Sequence, residues 1–322
     1  MARIAFHDVT KQYPGAGRPA VDRVSLEVAS GTICMLLGTS GSGKTTLLRI
    51  VNRLIEPTSG AILIDGQNIL EENPITLRRR IGYVIQQAGL FPHMDIAENV
   101  RITAEIAGWS RERMAGRVDE LLTLVGLPPA EYRRRFPRQL SGGEQQRVGI
   151  ARALATDPGI LLMDEPFGAL DAITRRRMQE ELVRIQRGVR KTILFVTHDV
   201  EEAFRLGEQI AVLSEGRLVQ LGTPSELLAH PADDFVRQLV GADNILRKLQ
   251  YLPVTAAVDG GGAESSAGAL DARVPATATL LQAMLTLLET KAPALAVWDE
   301  RDRCLGTVTL ATITRTIERS AD

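Results

Sequence analysis

The feature that most constrains this 322-residue chain is the run Gly38-Thr-Ser-Gly-Ser-Gly-Lys44-Thr45, set between the apolar run Ile33–Leu37 and a helical pattern from Thr45 to Ile55. Glycines at this spacing let successive backbone N–H groups wrap an anion, and the start of the helix adds a favourable dipole. The pattern is a phosphate-binding loop. Gly38, Ser40, Gly41 and Gly43 shape the cradle, and Lys44 reaches the β and γ phosphates. The Thr45 hydroxyl is a magnesium ligand, and Thr46 completes the nucleotide-binding set.

A loop of this kind needs strands and helices in alternation, and the chain supplies them. Short apolar runs recur at Ile33–Leu37, Gly82–Ile85, Ile160–Met163, Ile193–Val196 and Ile210–Leu213. Their continuous apolarity predicts strands buried on both faces. Helical patterns over Met114–Val125, Glu144–Ala155 and Arg175–Arg187 lie between them, so an α/β fold around a mainly parallel sheet is expected. The polar, helix-rich stretch Arg111–Arg138 reads as an inserted helical subdomain, with Arg133–Arg135 on a solvated face.

The run Ile160-Leu-Leu-Met-Asp164-Glu165 is a strand ending in two carboxylates. Asp164 is placed to hold magnesium through water, and Glu165 to take a proton from an attacking water as general base. Between these motifs lies Leu140-Ser141-Gly142-Gly143-Glu144-Gln145-Gln146-Arg147 at the start of a helical pattern. It reads as a second anion-binding helix start, and equally as a capping box of Ser141 with Glu144; one geometry serves both.

That last segment resembles the signature motif of ABC ATPases, and the likeness extends over about residues 3 to 241. The resemblance implies further roles. Tyr13 would stack on adenine, Gln86 would sense magnesium and the membrane partner, Asp171 would be the D-loop aspartate and His198 would contact the γ-phosphate. It also implies a P-loop NTPase fold with an N-terminal antiparallel β subdomain, and ATP with Mg2+ as cofactors. Two copies would pair head to tail, each ATP lying between the loop of one and Ser141, Gly142 and Gly143 of the other. Integral-membrane permease subunits would be partners, a solute-binding protein an indirect one, and the chain would sit at the cytoplasmic face of the membrane.

Three segments sharpen the likeness towards ATPases of osmoprotectant importers, which take up glycine betaine, choline, carnitine or proline betaine. They are Asn52–Gly60, Ile81–Met94 and Phe167–Arg175, with the Gln86-Gln87 pair and the Asn52-Arg-Leu-Ile-Glu-Pro57 run the most telling. The expected organisation is an ATPase domain over 1–241, a linker over 242–271 whose stretch Asp259–Ala269 is rich in Gly, Ser and Ala, and an α-β-β-α unit over 272–322. Thr279 to Ile313 resembles a single CBS motif, a regulatory or dimerisation unit that would pair in trans within the dimer. Thr312 stands where that family has a ribose-binding aspartate, which puts nucleotide sensing in doubt.

Composition excludes alternatives. A formal net charge of −1 gives no basic field for nucleic acid. Two distant cysteines, Cys34 and Cys304, form no zinc or disulfide pattern and are expected as reduced core residues. No charged lead precedes an apolar run at the N-terminus, and no stretch reaches the roughly 18 apolar residues of a spanning helix, so a chain neither exported nor membrane-spanning is expected.

Overall fold

The computed structural model describes residues 2–259 and 272–319, in two compact units, Met1–Leu221 and Gly222–Asp322. Every predicted apolar run is a strand of one six-stranded sheet. The strands are β3 (Ile33–Leu37), β6 (Ile81–Val84), β7 (Ile160–Asp164), β8 (Thr192–Thr197), β9 (Gln209–Ser214) and β10 (Arg217–Gly222), in the order β10-β9-β3-β8-β7-β6. The pairs β9/β3, β3/β8, β8/β7 and β7/β6 are all parallel. Because helices cover both faces of such a sheet, β3, β7 and β8 are buried at every position.

An antiparallel sheet, β2-β1-β4-β5, is built from β1 (Ile4–Lys11), β2 (Val21–Val28), β4 (Ser59–Ile64) and β5 (Gln67–Asn68). Alternating burial in β1 and β2 explains why these strands lack the continuous apolar runs of the parallel sheet. Ile4, Phe6, Val24 and Val28 join Leu47, Leu48 and Ile50 of α1 (Lys44–Val51) in one apolar core.

Between the sheets' segments lie α2 (Pro74–Arg79), α3 (Ile96–Ile106), α4 (Arg111–Leu124), α5 (Pro129–Tyr132), α6 (Gly142–Ala153), α7 (Ala172–Val189) and α8 (Val200–Leu206). The arginine run is more than a wetted face. Carbonyls of Arg133 and Arg135 accept the amides of Ala97 and Ile96, closing the open start of α3, while Arg133 pairs with Asp119 at 3.4 Å.

A strap joins the segment after β6 to α6. The Arg152 guanidinium donates to the carbonyls of Ala88 (2.6 Å) and Gly89 (2.8 Å), and Ala88 packs against Gly149. Buried Asn99 ties the next turn by donating to the carbonyls of Phe91, Met94 and Asp95. Arg152→Ala removes two charge-assisted bonds, so it should destabilise the unit by about 2–3 kcal/mol, read by urea denaturation, with faster amide exchange over 86–90.

The second unit holds α9 (Pro224–Ala229), α10 (Asp234–Val240), α11 (Ile245–Tyr251), a 3-10 turn at Val254–Ala257, β11 (Arg273–Pro275), α12 (Leu280–Thr290), β12 (Leu295–Trp298), β13 (Cys304–Val308) and α13 (Leu310–Arg319). The expected α-β-β-α order is present, and β11 adds a parallel neighbour to β12. The boundary differs from the expected 241. Helices α9 and α10 belong to this unit, because α9 packs on α10 and α11, and α11 packs on α12 and α13. The first part of the expected linker is therefore α11 and the 3-10 turn; residues 260–271, with its glycines, lie outside the described residues. Cys34 is buried, which raises its thiol pKa to about 12, whereas Cys304 is half-buried.

Candidate functional site

The loop between β3 and α1 is fixed by two positions that exclude a side chain. Gly38 has φ +156° and Gly43 φ +97°, and a Cβ there would lie 2.2 Å from the Leu213 carbonyl oxygen and 2.3 Å from that of Ala20. Backbone on both sides leaves no room to shift, so these sites need glycine. Gly41, at φ +79°, faces open space and is required for its dihedral alone, and Ser40 beside it is exposed. Lys44 is buried, its ammonium donating to the carbonyls of Gly38 and Thr39, both at 2.8 Å. Burial holds its pKa below the usual lysine value, opposed by the charges of Glu165 and Asp164. Thr46 follows half-buried in the first turn of α1.

Parallel pairing of β3, β8 and β7 brings distant segments to the same sheet end. There Thr45 donates its hydroxyl to Asp164 Oδ1 at 2.9 Å. The other oxygen, Oδ2, takes the Tyr83 hydroxyl at 3.3 Å and lies 3.5 Å from the Arg49 guanidinium. Glu165 follows in the left-handed region at φ +45°, held by its amide donating to the Val196 carbonyl at 3.0 Å. Such strain costs on the order of 1 kcal/mol and turns the side chain off the line of the strand. Glu165 Oε1 lies 3.3 Å from Nδ1 of His198, just beyond β8. Gln86, exposed beyond β6, completes this edge: a Cβ on Gly168 would lie 3.3 Å from Gln86 Nε2 and 3.6 Å from Glu165 Oε2.

Thus Lys44, Thr45, Asp164, Glu165, His198 and Gln86 converge. Ser141, Gly142 and Gly143 form a separate start, that of α6. Ser141 caps the helix with Glu144, whose carboxylate accepts both the Ser141 amide and hydroxyl at 2.7 Å. Burial pushes the Glu144 carboxyl up, but hydrogen bonds from Tyr132 and Ser141 outweigh it and hold the pKa below the usual value. Gly142 and Gly143 pack towards Leu170 and Thr174, next to Asp171, which caps α7 by accepting the amides of Ile173 and Thr174 at 3.1 Å. Hydrogen bonding to Thr174 holds the Asp171 pKa low. A cleft of about 340 Å³ beside this start is lined by Ser141, Gly143, Arg147, Thr174 and Arg177. Among the described residues no hydrogen bond joins Ser141 to the 38–45 loop. Tyr13, 38% exposed, follows β1 with the Lys11 ammonium 5.2 Å from its ring centre.

The sequence reading missed Tyr83 and Arg49. Their signal was weak, since an aromatic in a strand and an arginine on a helix read as packing and surface. It also missed Glu202, which is buried and accepts from Gln179 at 3.1 Å. Burial raises its pKa above the carboxylate value of 4.5. With the folded pKa above the unfolded one, the favourable contribution is complete below about pH 4.5 and is lost as pH rises through the folded value. Glu202→Gln should therefore raise the melting temperature at pH 8, by an amount that shrinks towards pH 4.5. Thermal unfolding at both pH values checks this.

Comparison with known proteins agrees with this geometry. Residues 21–168 match the family described as ABC transporter. The chain is 45% identical, over 95% of its length and 78% of the relative's, to the glycine betaine/carnitine/choline transport ATP-binding protein OpuCA of Bacillus subtilis (strain 168). It is 48% identical to that organism's choline transport ATP-binding protein OpuBA, covering 76% of this chain and 64% of the relative. Identity is 49% to the osmoprotectant import ATP-binding protein OsmV of Salmonella typhimurium, covering 76% of this chain and 65% of the relative. The dimeric, ADP- and Pi-bound post-hydrolysis structure of the ATP-binding cassette MJ0796 superposes with a TM-score of 0.60 at 35% identity, covering 68% of this chain and 98% of that one. The phosphate loop, the paired carboxylates and the capped Ser141 helix thus stand in a chain that belongs to the ABC transporter family, among its ATP-binding ATPase subunits.

Proposed function

We propose that this chain hydrolyses ATP to energise an importer of quaternary-amine osmoprotectants such as glycine betaine, choline or carnitine. The observation that carries the cargo is the set of relatives at 45–49% identity, whose names are of glycine betaine, carnitine and choline transport, choline transport and osmoprotectant import. Selectivity for the amine would lie in the permease or a solute-binding protein, where an aromatic cage can hold the cation. Among the described residues no helix is long and apolar enough to cross a membrane. In this reading the permease is supplied by separate chains, with this subunit docked at the cytoplasmic face.

A dimeric solved relative at 35% identity supports pairing of two copies, and in this reading the pair is head to tail, with each start of α6 completing the partner's nucleotide site. ATP would lie between them, with its adenine on Tyr13 and its phosphates in the loop, so that hydrolysis releases the pair. Within one copy, Lys44 binds the outer phosphates and Glu165 takes the proton of the attacking water. His198 orients Glu165 and the γ-phosphate, and Gln86 and Asp171 close the edges.

Magnesium fits the residues present: the Thr45 hydroxyl and the Asp164 carboxylate meet at 2.9 Å as hard oxygen donors, and in this reading Gln86 reaches the ion from the edge of the site. Few protein ligands suit an ion whose remaining places go to phosphate and water. When bound it would neutralise charge developing on the β and γ oxygens. The second unit, with its single CBS-like motif, is assigned a role in pairing the dimer.

Uptake of labelled glycine betaine, choline, carnitine and an amino acid in a strain lacking the gene tests the reading. Loss of a quaternary amine, restored by the intact gene and not by Glu165→Gln, is expected. Retention of all three amines with loss of the amino acid overturns the cargo and leaves the ATPase standing.

A further inference from the structure

The Asp164 carboxylate is gripped on both oxygens, and the outer grip comes from residues outside every motif. Oδ1 faces the Thr45 hydroxyl. Oδ2 is held by the Tyr83 hydroxyl at 3.3 Å and by the Arg49 guanidinium at 3.5 Å. Tyr83 and Arg49 thus meet at the same carboxylate oxygen, and the three side chains form one cluster. Its corners come from α1, β6 and β7, and the Asp164 side chain is only 11% exposed. A lone carboxylate at a strand end can turn about its terminal torsion, which is broad and two-fold. One pinned by a donor on each oxygen cannot.

We propose that Tyr83, steadied by Arg49, is a positioning residue for hydrolysis: it holds Oδ2 of Asp164 so that Oδ1 stays turned towards Thr45 and the magnesium side of the site. The inference rests on the reading of Asp164 as the magnesium carboxylate. Second-sphere partners of metal-binding carboxylates commonly change metal affinity by 10- to 100-fold when removed, because the ligand must then be ordered as the metal binds. The ring of Tyr83 also lines an apolar groove of about 410 Å³ with Ile75, Ile106 and Ala153. Its phenyl body is also half-buried against the apolar core of the unit, so removing the hydroxyl alone leaves that packing in place.

The test compares the intact protein with Tyr83→Phe, Arg49→Lys and Asp164→Asn. Two readouts are taken: Mn2+ binding in the presence of a non-hydrolysable ATP analogue, by electron paramagnetic resonance, and binding of the same analogue in excess EDTA. Tyr83→Phe should weaken Mn2+ binding roughly 10-fold and leave metal-free nucleotide binding within about 2-fold, with an unchanged melting temperature. Arg49→Lys, which keeps the charge and loses the fork, should fall between it and the intact protein. Equal losses in both readouts would mean a merely structural role and overturn the proposal. Unchanged Mn2+ binding in Tyr83→Phe alongside a large loss in Asp164→Asn would overturn Tyr83 and keep Asp164. Unchanged Mn2+ binding in Asp164→Asn would overturn the magnesium reading itself.

Discussion

Turnover of ATP is expected to fall by roughly 10²- to 10⁴-fold when Glu165 is replaced by glutamine, the range spanned by loss of a positioned general base. The substitution keeps shape and hydrogen-bonding reach, so the left-handed backbone at φ +45° and the amide bond to Val196 should persist. It removes the proton acceptor alone. Nucleotide affinity should change by less than about 3-fold, and because hydrolysis is what separates the proposed pair, ATP-bound dimer should accumulate. Phosphate release and size-exclusion chromatography with ATP measure the two effects. Turnover within a few-fold of the intact protein would remove Glu165 from the proposed role. His198, 3.3 Å away and 63% exposed, should give a smaller loss on replacement by alanine, because it touches the base rather than acting as one.

The second large effect is expected at Lys44. Its ammonium lies buried at the centre of the loop, bonded to two carbonyls at 2.8 Å, with carboxylates of Glu165 and Asp164 in its field. A phosphate chain entering the cradle trades those carbonyls for charged oxygens. Charge-assisted bonds contribute about 1.5–3 kcal/mol each, and two of them are at stake. Lys44→Met, which keeps the stem and discards the charge, should weaken ATP binding by about 10² or more while the domain stays folded. Fluorescent-nucleotide titration gives the affinity, and circular dichroism gives the fold. Affinity within 3-fold of the intact protein would mean that backbone amides alone hold the phosphates.

These two predictions rest on motifs contiguous in the chain, which is why they could be read early. A phosphate loop is local chemistry: glycines, a lysine and a threonine within eight residues, with a strand before and a helix after. The pair Asp164-Glu165 is equally local. The central strands were legible because burial on both faces leaves unbroken apolar runs. The antiparallel sheet was not legible from apolarity, since its strands alternate and some carry charge at the wetted face.

Other features depend on segments far apart in the chain. Tyr83 and Arg49 acquire meaning only when β6 and α1 are laid beside β7, and the strap from Arg152 to Ala88 and Gly89 spans more than 60 residues. The unit boundary was misplaced for a related reason. Helices α9 and α10 carry no composition that distinguishes them from the preceding domain, and what assigns them is packing against α11 and through it the C-terminal helices.

The sequence by itself determined the chemistry, because phosphate and proton chemistry demand particular residue types at short spacing. Tertiary structure decided which side chains surround them. It set the second grip on Asp164 and the turn that aims Glu165 at His198. The physical reason is that a parallel sheet brings the ends of strands together whatever their separation in the chain, and hydrogen bonds at those ends depend on ångströms that residue order does not encode locally.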